Sequence, residues 1–329
     1  MIYSAHTFEI TLNLDTNEFH KLKDKAYDKS RGKHQLYIKK GVYNDNFLAD
    51  KGIKIEYHNN TYNKKIKFIV NPSRVLGGDD VKKLWRANKD NISKLFHKLE
   101  NYIDDYFDSR YRLNDFKLTR IDFTVNIDVG NRKIVFAYIK VLRNIGKVKG
   151  FASKYSKNDD RIDTDLSFDL EGNSNGIEFT AYDKEAESQR KEAKGILRVE
   201  VRLTKQKTIR KYTDETVTSK QLKSLALNSE DIFLDTFTHI IPYGDFYKKK
   251  QAVKLIEDSI LKKKHREKML QLIGLIPAKK SLYLAQKEMN DRNIDKVMKM
   301  FAEMNLSPVT ISKRHEIEHL KNMYSYLGK

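Results

Sequence analysis

Three short runs of the chain carry residues from which chemistry could be built. In LTRIDFTVNID (118–128) the polar row is Arg120, Asp122, Thr124, Asn126 and Asp128. In GIEFTAYDKEAE (176–187) it is Glu178, Thr180 and Tyr182, with Lys184 continuing the row if the strand lasts. In GILRVEVRLT (195–204) it is Arg198, Glu200 and Arg202. Side chains alternate along a strand, so each run keeps its acids and cations on one face and an apolar row on the other. If the three strands are neighbours, Asp122, Glu178 and Glu200 converge. Carboxylates that close need positive charge among them. A divalent cation supplies it, and an all-oxygen ligand set selects Mg²⁺ or Mn²⁺ over Zn²⁺. Arg120, Arg198 and Arg202 supply it more cheaply, as cross-strand ion pairs.

Beside such a centre Tyr182 acquires a use. A phenol with a pKa of about 10 is a weak nucleophile near neutrality. Next to a metal and Lys184 it can attack a phosphodiester, the metal polarising the phosphoryl oxygen and the lysine offsetting developing charge. The tyrosine then holds the DNA end covalently and keeps the bond energy for rejoining. The local pattern is shallow, since the chain has 18 tyrosines and AYDK occurs at 26–29 as well as at 181–184. Other chemistries find little support. There is no cysteine, which removes disulfides, thiolate metal sites and Cys nucleophiles. No two of the nine histidines are separated by one residue, so a His-x-His metal motif is absent. His315 and His319, four apart on an expected helix, read as solvated. No glycine-rich phosphate loop supports nucleotide hydrolysis.

The elements that must position these residues are read from periodicity. HTFEITLNL, HQLYIKKG, GIKIEYHNN and KKIKFIVNPSRV read as strands, with EFHKLKDKAYDKS helical between the first two. A long amphipathic helix is expected over 79–107, with Asp79 and Asp80 at its N-terminus. GNRKIVFAYIKVLRNIG can form a helix after the 118–128 strand, and a polar loop is expected over 153–165. The order of strands and helices looks like one pattern used twice. From about residue 216 the strand signals stop: 218–240 is helical, Pro242 and Gly244 mark a break, and the Lys-dense tail reads as all helix. Within the tail, 248–276 reads as one basic amphipathic helix. Residues 293–327 read as helix, turn and helix, with Ser307 as N-cap and Pro308 in the first turn. That pair is either a helix-turn-helix DNA reader or a plain helical hairpin. The expected fold class is α+β: an antiparallel sheet packed with helices, with two related α/β halves as a hint, then a smaller all-helical C-terminal domain. The boundary falls near 240, giving units 1–240 and 241–329.

Composition adds a partner. Lys plus Arg number 64 against 45 Asp plus Glu, a net charge of +19 over 329 residues. Such an excess argues for a polyanion bound through counterion release, nucleic acid first and an anionic membrane surface second. The start of the chain has no secretory pattern and no window approaches a membrane-spanning length, so the cytoplasm is the expected location and the membrane is not an expected partner.

Taken together, TRIDFTVNID, GIEFTAYDKEAE and LRVEVRL resemble, in order and spacing over residues 114–205, the rolling-circle replication initiators of plasmids and phages, the Rep_trans type above all. The resemblance implies an origin-specific DNA strand-nicking and joining enzyme with a catalytic tyrosine and a divalent metal held largely by carboxylates. By position it makes Asp122, Glu178 and Glu200 metal ligands and Tyr182 the nucleophile. Lys184 would contact phosphate, and Arg120, Arg198 and Arg202 would hold DNA or orient the carboxylates. Double-stranded origin DNA, the nicked single strand, a host helicase and a second copy of the chain are the implied partners. The rival expectation is a non-catalytic DNA-binding regulator of a mobile element with the same fold.

Overall fold

The computed structural model describes residues 1–30, 37–39, 42–61, 63–153 and 166–329. Among these residues ten strands form one antiparallel sheet: β1 (Ser4–Leu14), β2 (Tyr37–Lys39), β3 (Val42–Asp45), β4 (Ile53–Asn60), β5 (Asn63–Val70), β6 (Lys117–Asp128), β7 (Phe151–Ser153), β8 (Ser167–Gly172), β9 (Ile177–Asp183) and β10 (Ile196–Leu203). Their order across the sheet is β2-β3-β4-β5-β1-β6-β10-β9-β8-β7. The expected α+β class, an antiparallel sheet packed with helices and followed by further helices, is the observed one. Most of the expected loop over 153–165, and all of the HQLYIKKG run except Tyr37–Lys39, lie outside the described residues.

The doubled pattern is visible in this order. Each half runs strand, helix, four strands: β1, helix Thr16–Ser30 and β2 to β5, then β6, helix Arg132–Arg143 and β7 to β10. In each half the first strand lies beside the last, and the halves join where β1 pairs antiparallel with β6.

One face of the sheet is apolar and carries the core. Ile121, Phe123, Val125 and Ile127 of β6, Phe179 of β9 and Val199 and Val201 of β10 are fully buried. Helices cover this face. Phe107, at the end of helix Lys89–Phe107, stacks on Phe68 of β5, and Phe237 of helix Ser229–Ile240 meets Phe179.

Three expected helices differ. The long one begins at Lys89, not Asp79, because the Asn88 side chain accepts a hydrogen bond from the Asn91 N–H and fixes the start there. Residues 79–88 instead cross the polar face, where the Trp85 indole N–H donates to the Ala5 carbonyl at 2.8 Å. The single basic helix of the tail is two, Lys249–Glu257 and Lys263–Lys279. The last helix pair does not form. After helix Ile294–Glu303 the chain runs without helix to Met323, so the tail is not all helix and carries no recognition helix at His315. The run Val309-Thr310-Ile311 is β-branched and disfavours helix. Leu306, Val309 and Ile311 are buried while the backbone bridges to Asp245 and Lys248. Ser307 Oγ accepts from the Val309 N–H at 3.2 Å in a local turn. Two more strands, β11 (Phe246–Tyr247) and β12 (His319–Leu320), pair there, and His319 stacks on Tyr247.

Candidate active site

Strand β10 lies between β6 and β9, and the register sets three rows across the polar face. They are Asp122–Arg202–Glu178, Thr124–Glu200–Thr180 and Asn126–Arg198–Tyr182. The three motif strands are thus side by side, with Asp122, Glu178, Glu200 and Tyr182 on one face. Two of its acids are almost fully buried. Asp122 is 2% exposed and Glu200 7%.

Arg202 is the hub of the carboxylates. Its Nε is 3.1 Å from Asp122 Oδ1, its Nη1 2.9 Å from Glu178 Oε2 and its Nη2 3.6 Å from Glu200 Oε2. Arg120 completes the chain. Its Nε donates to Asp122 Oδ1 at 2.8 Å, its Nη2 pairs with Asp122 Oδ2, and its Nη1 reaches Glu9 Oε1 at 2.7 Å. Burial works against both guanidinium charges, yet Asp122 with its fellow carboxylates holds both pKa values above the usual arginine value. The guanidinium of Arg202 stands where a metal ion would balance the acids. Both Asp122 oxygens are taken, and among the described residues no three His, Asp or Glu side chains are grouped to hold an ion. In this arrangement Asp122, Glu178 and Glu200 do not fit Mg²⁺ or Mn²⁺ as a shared ligand set.

Tyr182 is 6% exposed, and its hydroxyl donates to Glu200 Oε1 at 2.8 Å. Burial first, then the Glu200 charge, push the phenol pKa well above its ordinary value, so the proton sits on the phenol and faces a carboxylate able to take it. Lys184 does not continue the strand. Asp183 ends β9 by accepting from the N–H groups of Glu185 and Ala186, and Lys184 opens the turn of helix Lys184–Ser188. Its ammonium pairs with Glu187, while burial and the nearby Arg198 lower its pKa.

All three arginines are engaged within the protein, Arg120 and Arg202 by carboxylates. Arg198 is locked inward: Nε donates to Asn126 Oδ1 at 2.7 Å, Nη2 to the Val81 carbonyl at 3.0 Å, and Nη1 lies 3.2 Å from His6 Nε2. Two site residues were not legible in the sequence. Glu9 sits opposite Arg120 on β1, and His6 occupies the irregularity between Ala5 and Thr7, where an extra residue is fitted against β6. Bulges re-aim a side chain in this way. Burial, helped by Arg198 and Lys184 and opposed by Asp122, lowers the His6 pKa to about 3, and its Nδ1 has no hydrogen-bond partner among the described residues. Alternation over HTFEITLNL gives no sign of the bulge, which only the pairing of β1 with β6 reveals.

These side chains line one wall of a cleft of about 1670 Å³. A second wall comes from residues 143–147, 276–284 and 310–314. Such an arrangement offers a buried hydroxyl, a carboxylate acceptor and fixed cations beside a space large enough for a polymer strand.

Among solved structures, a rolling-circle replication initiator protein from Geobacillus stearothermophilus aligns over 95% of this chain and 98% of its own, at 11% identity and a TM-score of 0.33. No curated protein matches the chain. The Phage_CRI family model, which describes the N-terminal region of a replication-associated protein, matches residues 34–229, more than half of the chain and all three motif strands. The kinship with replication proteins read from those strands is thereby borne out, and the chain belongs to the Phage_CRI family of replication-associated proteins.

Proposed function

We propose that the protein is a rolling-circle replication initiator that nicks and rejoins one strand of origin DNA through a Tyr182–phosphodiester intermediate. The observation that carries this is the 2.8 Å hydrogen bond from the Tyr182 hydroxyl to Glu200, on the wall of the cleft where the three motif strands meet. In the nicking step the phenol oxygen attacks phosphorus as its proton passes to Glu200. The Tyr182 O–P bond forms and the P–O3′ bond breaks. The leaving 3′ oxygen takes a proton from the Lys184 ammonium, whose lowered pKa suits it to that transfer. The 5′ phosphate stays on the tyrosine and the free 3′ hydroxyl primes synthesis. Reversal of each transfer rejoins the strand. Arg202 and Arg120 hold the acids in place through their ion pairs, a preorganised set of groups rather than a mobile one.

A requirement for Mg²⁺ or Mn²⁺ belongs to the proposal at the level of the whole reaction. The carboxylates around Arg202 do not supply its site as arranged, and no step above runs through it. A host helicase is proposed for unwinding, since the chain has no phosphate-binding glycine loop. A homodimer would supply a second tyrosine.

The test is relaxation of supercoiled plasmid carrying the cognate origin, with trapping of a protein–DNA adduct. Tyr182→Phe is expected to form no adduct. Glu200→Gln is expected to slow nicking by about 10²- to 10⁴-fold, the usual worth of a positioned proton acceptor. An adduct formed by Tyr182→Phe at the normal rate would remove Tyr182 from its role. One observation favours the second reading, a DNA-binding regulator without catalysis: the nucleophile is almost wholly buried. Salt-dependent DNA binding without an adduct on any origin substrate would establish it.

A further inference from the structure

The cations of the cleft are divided unequally between its walls. On the sheet wall Arg120 and Arg202 are spent on carboxylates, Arg198 is turned inward and Lys184 is paired. On the second wall Lys147, Lys280, Lys313 and Arg314 line the cleft, are exposed, and have no ion-pair partner among the described residues. Exposed Pro277 and Leu284 lie among them.

This wall is built, not draped. Leu282 N–H donates to the Ile145 carbonyl at 2.9 Å, and Ser281 Oγ to the Lys147 carbonyl at 2.7 Å. Asn144 Nδ2 donates to the Thr310 carbonyl at 3.1 Å and Ile311 N–H to the Tyr247 carbonyl at 2.9 Å. Gly146, at φ +63°, permits the closest approach, because a Cβ there would lie 2.0 Å from the Lys280 carbonyl oxygen. Three segments distant in sequence are thus stitched into one cationic surface that lines the same cleft as Tyr182.

We infer that this wall is the phosphate-binding surface of the protein and that it takes a single DNA strand. Free cations bind phosphates by releasing condensed counterions. A phosphodiester that reaches Tyr182 must enter between the two walls, which a flexible strand does and a stiff base-paired helix does not. Unstacked bases of such a strand find apolar surface at Pro277 and Leu284. The inference rests on the nicking reading in that the strand is delivered to Tyr182.

The test is binding alone, by fluorescence anisotropy of the full chain with a labelled single strand and with its duplex, over a range of salt. The triple variant Lys280→Ala/Lys313→Ala/Arg314→Ala is expected to lose at least about tenfold in strand affinity. Its log–log salt slope should be shallower by about 2, near 0.7 for each phosphate of a single strand that is no longer neutralised. The triple variant Lys21→Ala/Lys89→Ala/Lys94→Ala, which removes equal charge away from the cleft, is expected to keep the wild-type slope. Gly146→Ala, which displaces the wall without changing charge, is expected to weaken strand binding. If the first triple variant melts early, the three single variants are measured, each with a slope change of about 0.7. A wild-type slope in the wall variants, or an equal loss in the control, overturns the inference. So does a duplex bound as tightly as the strand and weakened as much. Strand binding through this wall with no adduct on any substrate would leave the inference standing and remove nicking. Normal adduct formation by the wall variant with unchanged strand affinity would do the reverse.

Discussion

A histidine that never charges is a costly thing to bury beside two cations, and His6 is one. Its folded pKa of about 3 lies far below the ordinary value of 6.5 that it regains on unfolding, burial being the larger cause and Arg198 the next. Between those two values the unfolded chain binds a proton that the folded one refuses, so stability rises with pH across that window. Above the unfolded value neither state is protonated and this cost is absent; it grows as pH falls toward the folded value. His6→Gln keeps a side chain able to meet Arg198 but cannot titrate. The wild type is expected to lose more melting temperature than this variant between about pH 7 and about pH 5. Equal losses in parallel melts would show that His6 is not refused its proton. For the reaction, the neutral imidazole is an acceptor that, with Asn126, fixes the direction of the Arg198 guanidinium.

At the scale of elements, the polar face is a zipper of alternating charge across β1, β6, β10 and β9, from Glu9 through Arg120, Asp122 and Arg202 to Glu178. Breaking a buried pair by removing one partner leaves uncompensated charge and costs about 3–5 kcal/mol. Arg202→Met should therefore lower the unfolding free energy by roughly that amount in urea. It also leaves Asp122, Glu178 and Glu200 repelling one another, a set that Mn²⁺ can then relieve. Mn²⁺ is expected to restore stability to the variant and to add little to the wild type. A wild type that binds Mn²⁺ tightly, and loses it in Asp122→Asn, would show that Arg202 yields its place to the ion.

The same strands show how much was legible beforehand. Period-two alternation fixed which residues of β6, β9 and β10 share a face, because both rows are long and clean. Chain order alone makes the adjacency of the three strands reasonable, and the pairing of β10 with β6 and β9 establishes it. Hidden were the features that depend on tertiary pairing: the β1 bulge, the Asp183 cap that turns Lys184 out of the strand, and the crossing of 79–88 over the face. The arginine hub lay in view as the cheaper of two ways to balance three acids, and only the register decides it.

Over the whole molecule, the question is whether the C-terminal helices are a separable body. Their charge suggested an appended DNA-binding unit, but their packing ties them to the sheet. Leu306, Val309, Leu320, Met323 and Leu327 belong to the same buried cluster as Phe237 and Phe179. Tyr324 donates its hydroxyl to the Ile241 carbonyl at 2.7 Å, Tyr138 to the Lys321 carbonyl at 2.8 Å and Tyr3 to the Leu327 carbonyl at 3.4 Å. An interface that is large and apolar does not favour independent motion. Trp85 is the one tryptophan of the chain and bonds to β1, so its fluorescence reports the sheet, while far-ultraviolet circular dichroism reports all the helices. If the two parts share one core, the two signals should fall together in a urea titration, with one midpoint and one slope. A helical signal that melts before the Trp85 transition would make the boundary near residue 240 a true domain edge. The second wall of the cleft would then be a mobile one.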